Sequence, residues 1–291
     1  MPGKGVESIP HNEILRYEEI LKIVDIASEL GIKKIRLTGG EPLVRKGVVG
    51  FVSELSKRNL DFSLTTNAML LADCASELKR SGLKRINISL DTMSDEKYSK
   101  VTRCGVLANV VNGILAAKKA GISPIKINTV VFCDTDENDI ENLIEFSKKN
   151  GFIIRFIEQM PFVSEGEDKT AKKPDIEEKF KIRYNLKPVS VDGFGPGRYY
   201  RLNGAIVGFI SAISAPFCEK CNRLRLTSDG RLMPCLGSND AIDIKKALRS
   251  GVPDEGIKSL FREAVLIKPE RHSFKQPKEC MPLKNMSGIG G

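Results

Sequence analysis

The sequence predicts an α/β protein in which parallel strands, each followed by a helix, form a barrel-like sheet, with a smaller α+β region at the C-terminal end. Three observations lead to this prediction. Short runs rich in β-branched residues alternate with helical segments through the first 160 residues. Polar or small residues follow those runs, and the alternation stops in the second half, where shorter strands and a cysteine-rich hairpin replace it.

The predicted strands of the first half are apolar and β-branched, and they cover residues 33–38, 61–66, 85–90, 125–131 and 152–157. The predicted helices repeat apolar residues about every 3.6 positions, and the clearest cover residues 18–30, 106–120 and 138–149. A glycine that can adopt a left-handed conformation follows the helices, at Gly31, Gly82, Gly121 and Gly151. Nearly continuous apolar strands joined by helices are typical of a parallel sheet that is covered on both faces.

The residues at the strand ends favour a barrel over a doubly wound sheet. Gly39 and Gly40 follow the first strand, Thr65 and Ser89 stand at the ends of the next two, and the fifth strand ends at Glu158. A β/α barrel builds its active site from many strand ends. A doubly wound sheet binds its ligand at a single switch point, and therefore needs fewer such residues.

In the second half we expect strands at 198–202 and 206–213 and a hairpin formed by 224–227 and 231–233, with Asp229 and Gly230 in its turn. Helices are predicted at 242–248 and 255–265, and the polar stretch 164–175 is predicted to be a surface loop. The change of rhythm predicts two domains, a partial barrel at residues 1–185 and a smaller domain at residues 186–291.

Charge and composition limit the classes of function. The 46 Lys and Arg residues exceed the 37 Asp and Glu residues, so the net charge is +9, of which +7 lies in residues 151–291. A basic surface, a small polyanionic substrate or nucleic acid would each account for this excess. Nucleic acid is disfavoured, since the chain has no Trp and only 6% aromatic residues. No apolar run is long enough for a membrane span and no signal peptide is evident, so a cytoplasmic location without a membrane partner is expected.

The strongest local motif is a set of three cysteines, Cys218, Cys221 and Cys235. Two thiolates on one turn and a third returned by a hairpin suit an iron–sulfur cluster with one accessible iron, or a zinc site completed by another ligand. A purely structural zinc knuckle is the competing interpretation. The other four cysteines are isolated and are interpreted as bystanders: Cys74, Cys104, Cys133 and Cys280.

Two further features stand out beside the cysteines. Arg223 and Arg225 alternate along a predicted strand, so both guanidinium groups can reach one anionic ligand. Gly39 and Gly40 let the backbone approach a ligand closely, although such a turn alone is a weak signal. The two histidines, His11 and His272, have no triad partner nearby in sequence and are interpreted as structural or surface residues.

Six motifs, in order and spacing, resemble those of the GTP 3′,8-cyclase family of radical-SAM enzymes (molybdenum cofactor biosynthesis protein A). They are RLTGGEPLVR (36–45), LTTN (64–67), INISLD (86–91), IKIN (125–128), RFIEQMP (155–161) and FCEKCNRLRLTSDGRLMPCL (217–236). The resemblance covers essentially the whole chain and extends to a terminal Gly-Gly. It implies an incomplete β/α barrel whose mouth is closed by a C-terminal α+β iron–sulfur domain. It also implies conversion of GTP to (8S)-3′,8-cyclo-7,8-dihydroguanosine 5′-triphosphate, an early step of molybdenum cofactor synthesis.

The resemblance implies specific ligands and partners. By position in the motifs, the ligands of a substrate-binding [4Fe-4S] cluster are Cys218, Cys221 and Cys235. The implied GTP contacts are Arg36, Thr65, Lys126, Arg223 and Arg225. The implied S-adenosylmethionine contacts are Gly40, Ser89 and Met160, and Gly290 and Gly291 resemble a tail that enters the active site. A homodimer and an external reductant are implied as partners.

Two departures from the family pattern are evident. The family uses a Cys-x3-Cys-x2-Cys loop after its first strand to hold a second [4Fe-4S] cluster, which cleaves S-adenosylmethionine, and these 291 residues contain no such sequence. Met1 and Pro2 match the Met-Pro that follows the loop in the family, so the chain is interpreted as an N-terminally shortened version without the first strand. Ala68 stands where the family has glycine, which adds strain if φ is positive there.

Three hypotheses therefore stand: a GTP cyclase that is active when the missing motif is supplied, a protein that binds GTP and one cluster without catalysis, and a zinc-knuckle protein that binds nucleic acid.

Overall fold

The structure, a computed structural model, describes residues 9–103, 105–132, 135–160, 176–191, 195–272 and 274. Its helices are α1 Tyr17–Glu29, α2 Val48–Ser56, α3 Leu71–Arg80, α4 Asp95–Thr102, α5 Leu107–Lys119, α6 Glu137–Asn150, α7 Ile176–Arg183, α8 Ile244–Arg249 and α9 Asp254–Leu266. Its strands are β1 Lys34–Leu37, β2 Asp61–Thr66, β3 Ile86–Ser89, β4 Ile125–Val131, β5 Ile153–Glu158, β6 Lys187–Pro188, β7 Arg198–Leu202, β8 Ala205–Ile210, β9 Arg225–Leu226, β10 Arg231–Met233 and β11 Ile242–Asp243.

The larger sheet is an open partial barrel of eight strands in the order β1-β2-β3-β4-β5-β8-β7-β6. Six of these strands are parallel, and β7 and β6 add an antiparallel edge. The predicted incomplete barrel with a C-terminal α+β region is confirmed. Because β8 pairs with β5, the sheet continues past residue 185, where the two predicted domains meet. The division at that residue stays a prediction.

A second, three-stranded sheet has the order β11-β10-β9 and packs with α8 and α9. The predicted hairpin is present, with Leu226 opposite Leu232 and Gly230 in its turn at a φ of 82°. The predicted helix at 242–248 begins later than expected. Ile242 and Asp243 pair with β10, and the Asp243 carboxylate caps α8 by accepting the Lys246 N–H at 2.8 Å.

Helix α1 joins the two hydrophobic cores. Val24 packs in the core of the large sheet, whereas Ile23 and Ile26 belong to the core that α9 and β10 share. Glu19 on the same helix accepts two hydrogen bonds from Arg249, at 2.8 and 3.1 Å, and these lower its pKa to about 2. The C-terminal region is therefore held to the barrel by apolar packing and by a charged clamp.

The backbone after β2 has the conformation that the sequence suggested. Ala68 is fully buried and has a φ of 62°, in the left-handed region, where an L-residue costs about 1–2 kcal/mol relative to the right-handed region. The Thr66 hydroxyl accepts the Ala68 N–H at 3.0 Å and so holds this turn. The prediction of local strain at this alanine is confirmed.

Gly113 on α5 makes the packing against this turn possible. A Cβ atom there would lie 2.4 Å from the Ala68 carbonyl oxygen. We expect Gly113→Ala to lower the free energy of unfolding by about 1–3 kcal/mol, because the turn has to shift. The matched control, Gly50→Ala on α2, has open space at its Cβ position and should instead raise stability by about 0.5–1 kcal/mol. Urea denaturation measures both, and equal effects of the two changes would contradict the prediction.

Candidate functional site

The candidate site occupies the inner face of the open barrel. Along β4, Ile125 and Ile127 are buried in the apolar core, and Lys126 and Asn128, which alternate with them, are half-buried on the other face. Strand register places Asn87 between Thr65 and Lys126 in one row across β2, β3 and β4, and Ser89 beside Asn128. Paired residues of neighbouring strands point to the same side, so one surface carries these polar side chains.

Arg155 on β5 organises this surface. Its side chain is buried, its Nε donates to Asn128 Oδ1 at 2.8 Å, and its Nη2 donates to Asn87 Oδ1 at 2.7 Å. The Asn87 amide in turn donates to the Thr65 hydroxyl at 3.3 Å. Arg155 also hydrogen-bonds the side chain of Tyr199. This network connects five strands of the sheet, β2, β3, β4, β5 and β7, and fixes the orientation of Thr65.

Gly208 on β8 leaves the space that Tyr199 occupies. A Cβ atom at Gly208 would lie 2.6 Å from the Tyr199 ring and 3.2 Å from the Arg155 Cγ atom. The Lys126 Nζ atom lies 5.9 Å from the centre of the same ring, within the range of a cation–π contact. Tyr199 therefore packs over Gly208 and beside both Lys126 and Arg155.

Several cationic side chains lie close together in the site. Desolvation by the surrounding protein, together with the positive charges of Arg155, Arg223 and Arg225, lowers the pKa of Arg36 to about 10. Burial also lowers the pKa of Lys126 to about 8, with contributions from Arg155, Arg85 and Arg36. Although Arg36 is solvent-exposed on edge strand β1, the surrounding protein and the neighbouring positive charges still disfavour its charged form. Such a concentration of positive charge is suited to binding a polyanion.

The three thiols adjoin this cluster of cations. Cys218 and Cys221 bracket one tight turn, in which the Cys221 N–H donates to the Cys218 carbonyl at 2.9 Å. Cys235 follows β10, and its sulfur accepts the Gly237 N–H at 3.4 Å. Burial and Arg223 lower the pKa of Arg225, whereas Cys221 and Cys235 act in the opposite direction. Arg225 is therefore close both to two of the cysteines and to Arg223.

The donor set fits an iron–sulfur cluster by its chemistry. All three thiols are half-buried, and in the part of the chain that the structure describes no three Cys, His, Asp or Glu side chains converge on one ion position. In a [4Fe-4S] cluster three thiolates bind three of the irons, and the fourth iron keeps an open position. Three cysteines beside a group of cations are therefore compatible with an iron–sulfur cluster.

The three residues that resemble S-adenosylmethionine contacts lie at the carboxyl ends of strands. Gly40 follows β1, Ser89 ends β3, and Met160 comes two residues after β5. Glu41 shapes the first of these turns: its carboxylate accepts the Leu43 N–H at 3.0 Å, the Thr66 hydroxyl at 2.7 Å and the Asn67 N–H at 2.7 Å.

The predicted site residues thus divide into two groups. Electrostatic coupling and hydrogen bonds bring together Arg36, Thr65, Lys126, Arg223 and Arg225, with the cysteines beside them. The second group lies at the carboxyl edge of the sheet and consists of Gly40, Ser89 and Met160. Among the contacts of the described residues, none joins it directly to the first group. Several earlier predictions lie outside the described residues: the 164–175 loop, Cys104, Cys133, Cys280, Gly290 and Gly291.

Three residues that organise the site were missed by the sequence reasoning: Asn87, Arg155 and Tyr199. The sequence does contain an indication for Arg155, which is a charged residue within the apolar run FIIRFI. An arginine in a buried strand requires hydrogen-bond partners, so its position predicts polar side chains around it. Tyr199 carries no comparable local signal, since its role depends on the glycine in the neighbouring strand.

Comparison with protein-family models gives two matches. Residues 4–147 match the Radical SAM superfamily, and residues 152–274 match Molybdenum Cofactor Synthesis C. The first match ends within α6, and the second begins one residue before β5. No helix among the described residues is both long and apolar enough to cross a membrane.

Curated relatives match the chain over its full length. A GTP 3′,8-cyclase of Thermodesulfovibrio yellowstonii is 44% identical over 299 residues, which span all of this chain and 92% of the relative. A GTP 3′,8-cyclase of Petrotoga mobilis is 42% identical over 301 residues with the same coverage. Among solved structures, Streptococcus suis SuiB bound to S-adenosylmethionine aligns with a TM-score of 0.58 at 16% identity, over 84% of this chain and 61% of SuiB. That likeness concerns the fold alone.

Proposed function

Because the chain belongs to the GTP 3′,8-cyclase family of radical-SAM enzymes, we propose that its cation-lined site binds GTP for conversion to (8S)-3′,8-cyclo-7,8-dihydroguanosine 5′-triphosphate. The observation that carries this proposal is the position of the cations, in the barrel beside three cysteines. Arg36, Lys126 and Arg223 offer the positive charge that a triphosphate requires, and guanidinium groups form paired hydrogen bonds to phosphate oxygens.

The site has one end formed by the cations of the barrel strands and another formed by the three cysteines, and we assign these ends to different parts of the nucleotide. The triphosphate is proposed to lie toward Arg36 and Lys126, with Thr65 donating or accepting a hydrogen bond from its fixed orientation. A [4Fe-4S] cluster held by Cys218, Cys221 and Cys235 would supply an iron with an open coordination position for the guanine. Arg225, which is close both to two of the thiols and to Arg223, is proposed to contact the part of the nucleotide that joins the guanine to the triphosphate.

Family membership implies S-adenosylmethionine as the radical source, and we propose Gly40, Ser89 and Met160 as its contacts at the carboxyl edge of the sheet. The turn that holds Gly40 is open: a Cβ atom at Gly39 or Gly40 would have no neighbour within 4 Å. The backbone there is therefore accessible to a ligand. Gly290 and Gly291 are proposed to reach the site, a homodimer is proposed as the assembly, and an external reductant as the electron donor.

The alternative is a chain that binds GTP and one cluster without catalysis. The 291 residues contain no Cys-x3-Cys-x2-Cys sequence. We therefore propose that cleavage of S-adenosylmethionine requires ligands that this sequence does not supply, and we expect no 5′-deoxyadenosine from these residues alone.

Anaerobic reconstitution with iron and sulfide tests both statements. A brown protein that contains iron and sulfide and binds GTP is the expected result, whereas a colourless protein with one zinc ion and affinity for nucleic acid would contradict the proposal.

Turnover with GTP, S-adenosylmethionine and dithionite is then compared with and without a fused Cys-x3-Cys-x2-Cys segment from a relative. Product only in the fused protein is expected. Formation of 5′-deoxyadenosine by the 291 residues alone would refute the non-catalytic alternative.

A further inference from the structure

We propose that Glu158 is a positioning residue that fixes the cluster-bearing cysteine segment relative to the end of β5. This inference rests on the proposed function, because it concerns how the cluster site is held in place for GTP. It assigns no contact with substrate to Glu158. The side chain acts through the loop at residues 211–217, which runs from β8 to the turn that carries Cys218.

The carboxylate of Glu158 accepts hydrogen bonds from three donor groups of this loop. Its Oε2 atom accepts the Ile213 N–H at 2.7 Å, the Ser214 N–H at 2.9 Å and the Ser214 hydroxyl at 3.2 Å. Its Oε1 atom lies 3.2 Å from the same Ser214 nitrogen. Hydrogen bonds from backbone N–H groups to a carboxylate are stronger than neutral ones, so this contact sets the position of the loop firmly.

A second contact holds the loop from its other side. The His272 Nε2 atom lies 2.9 Å from the Ala212 carbonyl oxygen, so this nitrogen carries the proton and donates. The Cβ atom of His272 packs on Gly237, where a Cβ atom would come within 2.9 Å of it. Gly237 is the residue whose N–H donates to the Cys235 sulfur. The loop is therefore clamped between the end of β5 and the segment that carries the third cysteine.

The clamp connects the two proposed ligand sites. Glu158 precedes Met160, a proposed S-adenosylmethionine contact, by two residues, and Ser214 precedes Cys218 by four. The distance between a radical source and its target must be held closely for hydrogen abstraction, since small displacements reduce such rates strongly. The Glu158 carboxylate therefore links the end of β5 directly to the segment that leads to Cys218.

The variants Glu158→Ala and Glu158→Gln test the inference in the reconstituted chain. The alanine removes all acceptors, whereas the glutamine keeps one carbonyl oxygen and loses the charge. We expect GTP to bind about tenfold more weakly to Glu158→Ala, with a smaller loss for Glu158→Gln, as is typical of losing a charge-assisted hydrogen bond. The EPR spectrum of the reduced cluster should also respond differently to added GTP. Glu145→Gln on α6, whose exposed carboxylate pairs only with Lys148 among the ion pairs found, is the matched control and should behave as the wild type.

The outcomes separate this inference from the proposed function. If the wild-type chain binds neither an iron–sulfur cluster nor GTP, the proposed function is wrong, and the inference about Glu158, which depends on it, is wrong as well. If the wild type binds both, and the Glu158 variants keep its GTP affinity and EPR response while only their melting temperature falls, Glu158 is merely structural and the inference is overturned. Retained iron content with altered GTP affinity and EPR response supports it.

Discussion

Replacing Cys235 by alanine is expected to weaken GTP binding by about 100-fold or more, because loss of a direct ligand should exceed the 10–100-fold cost typical of outer-shell changes at metal sites. Cys235 is the one cysteine of the three that the β9–β10 hairpin returns to the site. Without it the proposed cluster would keep only the two thiolates of a single turn. The positive charges remain in the variant, so residual binding through the triphosphate is expected.

Iron analysis and equilibrium binding of GTP to the anaerobically reconstituted protein measure this effect. Cys74→Ala is the matched control. Burial raises the pKa of the Cys74 thiol to about 11, so this side chain stays protonated and is a poor metal ligand. We expect the control to keep both iron and GTP. Unchanged GTP affinity in Cys235→Ala would falsify the assignment of the cluster as the purine site.

The second large effect is a pH dependence that originates at Lys126. Burial and neighbouring guanidinium groups lower its pKa to about 8 in the free protein. Its ammonium is charged below that pH and increasingly neutral above it, and only the charged form attracts a triphosphate. GTP affinity is therefore expected to be highest near pH 7 and to fall toward tenfold per pH unit as the pH rises above about 8.

Two substitutions separate charge from position at this site. Lys126→Met removes the charge at every pH, so we expect affinity at pH 7 to fall by about 10- to 100-fold and its pH dependence to flatten. Lys126→Arg keeps a charge throughout this pH range and should bind GTP with little change between pH 7 and 9. Titration of the nucleotide itself is common to all three proteins and cancels in the comparison. A wild-type profile that matches that of Lys126→Arg would contradict the prediction.

Local pattern was sufficient for most of the secondary structure. The predicted strands at 61–66 and 125–131 coincide with β2 and β4, and the four glycines predicted to end helices have φ values between 73° and 99°. Such features depend on a few neighbouring residues, and so they can be predicted from the sequence alone. The start of α8 could not, because Ile242 and Asp243 form a strand whose paired residues in β10 lie ten and twelve residues earlier.

The sequence by itself determined the family, the order of strands and helices, the three cysteines and the excess of positive charge. Only the tertiary structure decided which cationic side chains lie close together. It also pairs Arg155 with Asn87, 68 residues away, and it places the Glu158 carboxylate within hydrogen-bond distance of a loop more than 50 residues away. The reason is physical. Local propensity and periodicity are carried by adjacent residues, whereas the partner of a buried charge is chosen by whichever strand or loop the fold brings within hydrogen-bond distance.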